Sequence, residues 1–213
     1  LLKKLLIKWS NPAKNIYAFQ INNEQGSFFE MLGFWKEKSR CWMMRPTEKI
    51  DYKFDLDLKI KKPKEEDSKE IAKLLNLSFE NGVDKNSQLN KSSKDESLNN
   101  WLETVDDFFD NTNEFLIEAS SIIYDTNRKI IGVCLISIFE NWPLIHTIAV
   151  DPLYSGKGIG RIMLKKGIST LNKNYSVVRL FVTKGNPAES MYYELGFVQG
   201  VEFSKYYLDK DNI

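Results

Sequence analysis

The chain holds a single histidine, His146, and two cysteines, Cys41 and Cys134. So few ligands argue against a structural zinc site, which draws four from this set, and no metal is expected. The cysteines lie far apart with no C-x-x-C spacing, so they read as unpaired thiols of an intracellular, cytoplasmic protein. Charge of one sign is missing too. Thirty Lys and Arg against 29 Asp and Glu leave a net +1, which gives no field for holding nucleic acid or an anionic membrane. No apolar run reaches the roughly 18–20 residues of a membrane span. The opening "LLKKLLIKWS" is broken by Lys3, Lys4 and Lys8 and has no small-residue cleavage site, so no signal peptide is expected. It also lacks an initiator Met, as a sequence beginning inside a longer protein would.

What is present suffices for a packed core: 42% apolar and 13% aromatic residues in 213, enough for one large domain or one and a half ordinary ones. "DLDLKI" (Asp55 to Ile60) alternates as a strand does. Asp67-x-x-Glu70 has the form of a capping box, opening a helix with Ile71, Leu74, Leu75 and Phe79 on one face. Asn81 to Asn99 is polar and reads as a loop, followed by a second helix over "ESLNNWLETVDDFFDN". "EFLIEASSIIYD" and "KIIGVCLISIFE" read as strands joined by a "TNRK" turn. "PLIHTIAV", "SVVRLFVT" and "VEFSKYYL" are further strands, with a short helix from Pro187 to Leu195 before the last. Strands and helices mixed in this way imply an α/β or α+β sheet with helices on its faces.

One stretch asks for more. In "IHTIAVDPLYSGKGIGRIMLKKG" an apolar strand stops at Asp151-Pro152, and Gly156, Gly158 and Gly160 then open a basic helix. Glycine permits strained torsions and close approach of a ligand, and the first amides of a helix lack internal partners at the positive end of its dipole. Such a bend suits a phosphate or diphosphate, with Lys157 and Arg161 adding charge. It is not a P-loop, because Gly158 follows Gly156-Lys157 and Asp151 occupies the first glycine position. It is not a dinucleotide fingerprint either, because Arg161 replaces the third glycine. The second motif is "NPAESMYYELGF": Asn186 and Glu189 are placed to cap a helix and Gly196 to stop it.

Together these motifs resemble the GNAT N-acyltransferase superfamily. Its Q/R-x-x-G-x-G/A loop after an "AVxP" strand is matched by Ala149-Val150-Asp151-Pro152 and Ser155-Gly156-Lys157-Gly158-Ile159-Gly160, with Ser155 where Gln or Arg is usual. The later N-P-A-E-x-x-Y-x-x-L-G-F pattern is matched through Asn186, Tyr192 and Gly196-Phe197. The resemblance covers about residue 55 to the end. It implies a mixed, mostly antiparallel central sheet with helices on both faces, and acetyl-CoA or another acyl-CoA as co-substrate. The diphosphate would sit on the amides from Ser155 to Gly160, beside Lys157 and Arg161, and Asn186 would also contact the cofactor. The pantetheine arm would lie along Ile148, Ala149 and Val150, beside a backbone N–H that stabilises the oxyanion. Tyr192 aligns with the family's general acid, and His146 with the base of some members; Glu118 and Glu140 are reserve candidates. The acceptor is a small-molecule or protein amine. An acidic, aromatic lip formed by Trp101, Phe108 and Phe109 with Asp106, Asp107 and Asp110 would attract it; the same residues also fit an ordinary amphipathic helix. A non-catalytic acyl-CoA-binding regulatory module is the alternative of another class.

The sequence also echoes itself. "NNEQGSFFEMLGF" returns as "GNPAESMYYELGF" at a shift of 163 positions, with Phe29 where the later copy has Tyr192. Residues 1–50 are therefore expected to be a partial, degenerate GNAT-like segment of helix–strand–helix–strand form that packs or dimerises, and residues 55–213 the acyltransferase domain.

Overall fold

Along β6 (Ile130–Phe139) seven consecutive residues, Ile130 to Ile136, are buried. A strand reads this way only when both faces of its sheet are covered. Cys134 and Ile136 point into a core shared with α6 (Ile159–Leu171), α5 (Glu114–Ala119) and α7 (Glu189–Glu194). Val133 and Leu135 point into a second core under α3 (Ser68–Glu80) and α4 (Lys94–Asp110). Each fully buried aliphatic side chain of this strand is worth roughly 1.5–3 kcal/mol of transfer free energy, so β6 is the anchor of the fold.

The computed structural model describes residues 1–11, 15–52, 58–80 and 94–209. Within them, β1 (Ile16–Asn22), β2 (Trp35–Lys36), β3 (Arg40–Pro46), β4 (Lys59–Lys61), β5 (Ser121–Tyr124), β6, β7 (Trp142–Val150), β8 (Val177–Thr183) and β9 (Val198–Leu208) form one nine-stranded sheet. The order is β1-β9-β3-β8-β7-β6-β5-β4, with β2 also on β9. The β7–β8 pair is parallel; the other described pairs are antiparallel. This is the expected mixed, mostly antiparallel sheet with helices on both faces.

The N-terminal residues supply α1 (Leu2–Trp9), β1, α2 (Asn23–Met31), β2 and β3. A third core joins Leu6, Ile21, Phe29 and Phe34 to Tyr206 and Leu208 of β9. β3 runs beside β8 in unbroken register from Arg40–Thr183 to Pro46–Val177, and its other edge pairs with β9. The expected boundary near residues 50–55 thus divides the sequence but not the sheet. The strand order has the same form from either side of the β9–β3 seam. Ile16 of β1 pairs with Leu208 of β9, and Arg179 of β8, 163 positions beyond Ile16, pairs with Met44 of β3. The hydroxyls of Ser39 and Ser204 meet across the seam at 3.0 Å.

Three local expectations are corrected. "EFLIEA" is helical, not extended: the Asn113 side chain accepts the Leu116 N–H at 3.0 Å to start α5, and Lys166 Nζ donates to the Glu118 and Ser120 carbonyls, both 2.6 Å, at its end. The Asp67–Glu70 capping box does not form, because Asp67 accepts the Lys64 N–H and the Tyr124 hydroxyl while Glu70 pairs with Lys73. The helix expected from Pro187 begins only at Glu189. Most of the loop expected over Asn81 to Asn99 lies outside the described residues, but its end, from Lys94, is the first turn of α4. Of the strand expected over Asp55 to Ile60, residues 55–57 lie outside them too.

Candidate active site

The site begins with a defect in β7. This strand pairs with β8 only at Leu144–Arg179 and Ile145–Leu180. On its other side Ile136 faces Ile145 but Leu135 faces Thr147, which leaves His146 as the extra residue of a β-bulge. A bulge bends and twists its strand, and beyond it the β7 edge facing β8 has no described strand partner. The bulge also breaks alternation: Ile145 and Ile148, three apart, both pack into the α6-side core. A cavity of about 750 Å³ occupies the divergence, lined by His146, Thr147 and Ile148 on one wall and Leu180 to Thr183 on the other, with Asn186 and Tyr192.

At the far end of β7 the chain enters the glycine bend. Gly156 (φ 76°) and Gly158 (φ 78°) are both left-handed, and Gly158 is the N-cap of α6. A Cβ at either would meet nothing within 4 Å, so torsion rather than space demands glycine here. Gly160 differs: it lies inside the helix, 3.5 Å from Met191 Sδ at the Cβ position. The bend from Ser155 to Gly158 is exposed, and the first amides of α6 have no partner within the helix.

The bend is held from below by groups the sequence reading missed. Asp151 is fully buried; its carboxylate accepts the Leu153 N–H at 3.0 Å and the Lys129 ammonium at 2.6 Å. Burial alone would raise its pKa, but the Lys129 ammonium and the Leu153 N–H outweigh that and hold it below the usual carboxylate range. Asp125 accepts the Asn127 and Lys129 N–H groups and the Tyr154 hydroxyl, which ties the β5–β6 hairpin to the bend. Lys157 lies 4.8 Å over the Tyr154 ring. Arg161 pairs with Glu194 of α7, so its charge is shared rather than reserved for a ligand.

Tyr192, on α7, is 5% exposed and packs edge-on against Phe197 at 5.9 Å. Burial, with a smaller contribution from the nearby Cys134, raises its pKa well above the ordinary phenol value, so it keeps its proton. Asn186 Oδ1 accepts the Ala188 N–H at 2.9 Å, and Glu189 reaches back to the Gly185 and Asn186 N–H groups. Gly196 (φ 81°) ends the helix, with the Phe197 N–H donating to the Tyr192 carbonyl.

A sequence profile described as "Acetyltransferase (GNAT) family" matches residues 71–197, more than half of the chain. The chain belongs to the GNAT family. Solved structures similar to this GNAT chain include a GCN5-related N-acetyltransferase from Sphaerobacter thermophilus (TM-score 0.69, 13% identity, 98% of this chain and 68% of that one). A tandem GNAT protein from the clavulanic acid biosynthesis pathway matches with TM-score 0.59 and 9% identity over 98% of this chain and 67% of that one. The PaiA N-acetyltransferase of Thermoplasma acidophilum, solved in complex with coenzyme A, matches with TM-score 0.52 and 20% identity over 71% of this chain and 98% of that one. No curated protein sequence matches significantly.

Four of the GNAT residues singled out in the sequence, His146, Ile148, Asn186 and Tyr192, line one cavity. Ala149 is buried under α3 and α4, and Val150 packs toward α6. Ser155 to Ile159 and Gly160 form the bend and the first turn of α6, outside that lining. His146 opens toward the cleft, yet the protein around it desolvates the ring and lowers its pKa below the ordinary value; the Ser137 hydroxyl stands 3.5 Å from Nδ1. The reserve bases lie elsewhere. Glu118 is on helix α5 and not on a strand, and Glu140 sits in the β6–β7 turn against Arg179; neither lines the cleft. Among the described residues no group of His, Cys, Asp and Glu is placed to hold a metal, and no helix is long and apolar enough to cross a membrane.

Proposed function

We propose that the chain is an acyl-CoA-dependent N-acyltransferase that moves acetyl from acetyl-CoA to a primary amine by direct attack in a ternary complex. The observation that carries this reading is the alignment of two features on one strand: β7 parts from β8 after Ile145, and the same strand leads into the bend at Gly156 and Gly158. The parting leaves the Ile148–Val150 edge open to an extended ligand arm, and the bend offers unpaired amides to its diphosphate. A backbone N–H near the bulge stabilises the oxyanion. The amine nitrogen bonds to the acyl carbon and gives its proton to neutral His146, directly or through water. The carbon–sulfur bond breaks, and the departing thiolate takes the Tyr192 proton. Holding both reactants in one cleft supplies much of the acceleration.

Residues 1–50, in this reading, are the end of a degenerate second copy whose surviving task is to complete the sheet. The two buried free thiols suit a reducing, cytoplasmic setting. The test is free-thiol release over an amine panel, run with calorimetry of acetyl-CoA binding. Acetylation lost in Tyr192→Phe with binding retained supports the enzyme. Binding without turnover of any amine points to a regulatory module, and no binding ends both readings.

A further inference from the structure

Part of the cleft is not used by the acyl-donor chemistry. α4 turns Trp101, Thr104 and Phe108 toward it, with Asp107 beside Phe108, and Asn111 follows just past the helix end. Of the six residues expected to form an acidic, aromatic lip, Trp101, Asp107 and Phe108 line the cavity; Asp106, Phe109 and Asp110 do not. Phe79 of α3 stacks on Trp101 at 4.9 Å and 23°. The strand part of the lining carries Phe139 and Phe181, edge to face at 6.2 Å. Rings from both the helices and the strands thus line the space that His146 and Tyr192 also line, and Phe139 is 37% exposed. Such walls gain most from a flat ring placed between them.

The polar groups narrow the choice. Asp107 is the carboxylate among the described lining residues, and its side chain engages no described residue; only its backbone carbonyl is used, by Asn111. Thr112 Oγ1, on the same wall, is buried without a hydrogen-bond partner among the described residues, a state that normally signals a missing partner. Arg40 of β3 is the basic residue of the lining and stands at the Thr183 end of β8.

We propose that the acceptor is a primary arylalkylamine without a carboxylate, its ring held between the α3–α4 and β6–β8 walls, and that Asp107 selects it by meeting its ammonium. This rests on the acyltransferase reading and adds the acceptor class. Asp107 draws in the cation; His146 passes its first proton to bulk water, which leaves the neutral amine to attack, and then takes the second; the unpartnered Thr112 hydroxyl takes a polar ring substituent.

The experiment uses the full chain with saturating acetyl-CoA and four probes: tyramine, 4-(2-aminoethyl)cyclohexanol, spermidine and phenylalanine. Tyramine is expected to show kcat/KM at least about tenfold above the others. Asp107→Asn should raise the tyramine KM about tenfold, with kcat within about threefold and the melting temperature unchanged, and Asp107→Glu should recover part of the loss. Trp101→Leu should erase the preference for tyramine over its saturated analogue. Preference for spermidine or phenylalanine, or an unchanged KM in Asp107→Asn, overturns the assignment. Calorimetry separates the two levels. Acetyl-CoA binding with turnover of a non-aromatic amine sinks the acceptor class alone, whereas failure of acetyl-CoA to bind sinks the parent reading with it.

Discussion

The two helix–glycine–strand segments of this chain are closed by the same device and put to different ends. In the first, Gly33 (φ 86°) follows α2, the Phe34 N–H donates to the Phe29 carbonyl at 3.0 Å, and the two rings meet edge-on at 5.4 Å. In the second, Gly196 (φ 81°) follows α7, the Phe197 N–H donates to the Tyr192 carbonyl at 3.0 Å, and the rings meet edge-on at 5.9 Å. The difference is one oxygen and what it faces. Tyr192 lines the gap that the β7 bulge opens, whereas Phe29 belongs to a core against Tyr206. Closure is therefore a folding requirement shared by both halves, and the chemistry proposed for the second needs in addition a hydroxyl and a parted pair of strands.

The largest effect should come from making the second half like the first. Tyr192→Phe keeps the ring and removes the acid, so acyl transfer should fall about 10²-fold or more, with acetyl-CoA affinity within about threefold by calorimetry. His146→Ala removes a group with no counterpart in the first half and should cost roughly 10–100-fold in kcat/KM. In the intact protein the acid limb of kcat/KM should lie below the ordinary histidine value of 6.5, because desolvation lowers this pKa. The sign carries to stability. As pH falls from about 6.5 the unfolded chain takes up the proton first, so the fold loses stability until the folded pKa is passed. His146→Gln should abolish that slope in denaturant titrations.

Next in size are the paired glycines. Gly158→Ala and Gly33→Ala both force a left-handed alanine, at about 1–2 kcal/mol each. The first should also weaken acetyl-CoA binding about tenfold by displacing the bend amides. The second should lower the denaturation midpoint and leave binding untouched. Equal effects on binding would break the contrast between the halves. The smallest expected change is Phe29→Tyr, which adds the oxygen without the gap; it should shift stability by about 1 kcal/mol or less and create no activity.

Much of this was written locally. Strand–glycine–helix punctuation located β7, the bend and α6, and the Asn186 to Phe197 pattern located Tyr192 and its closure. What escaped depends on partners distant in sequence. "EFLIEA" has an apolar pattern compatible with either period, and the side chains of Asn113 and Lys166 decide for helix. The bulge at His146 exists only relative to β6, since register is a property of two strands. The support of the bend by Lys129, Asp125 and Asp151 required the β5–β6 hairpin to be folded against it. The insertion of β3 between β8 and β9 has no local signature at all.

That insertion governs how the protein must be made. During vectorial synthesis β3 emerges well before either of its neighbours, β8 and β9. Until β8 has left the ribosome, β3 offers two bare edges, the kind of template on which strands mispair. Nascent chains should therefore depend on chaperones from the emergence of β3 until that of β8 and β9. A product stopped short of β8 should be degraded rather than stored.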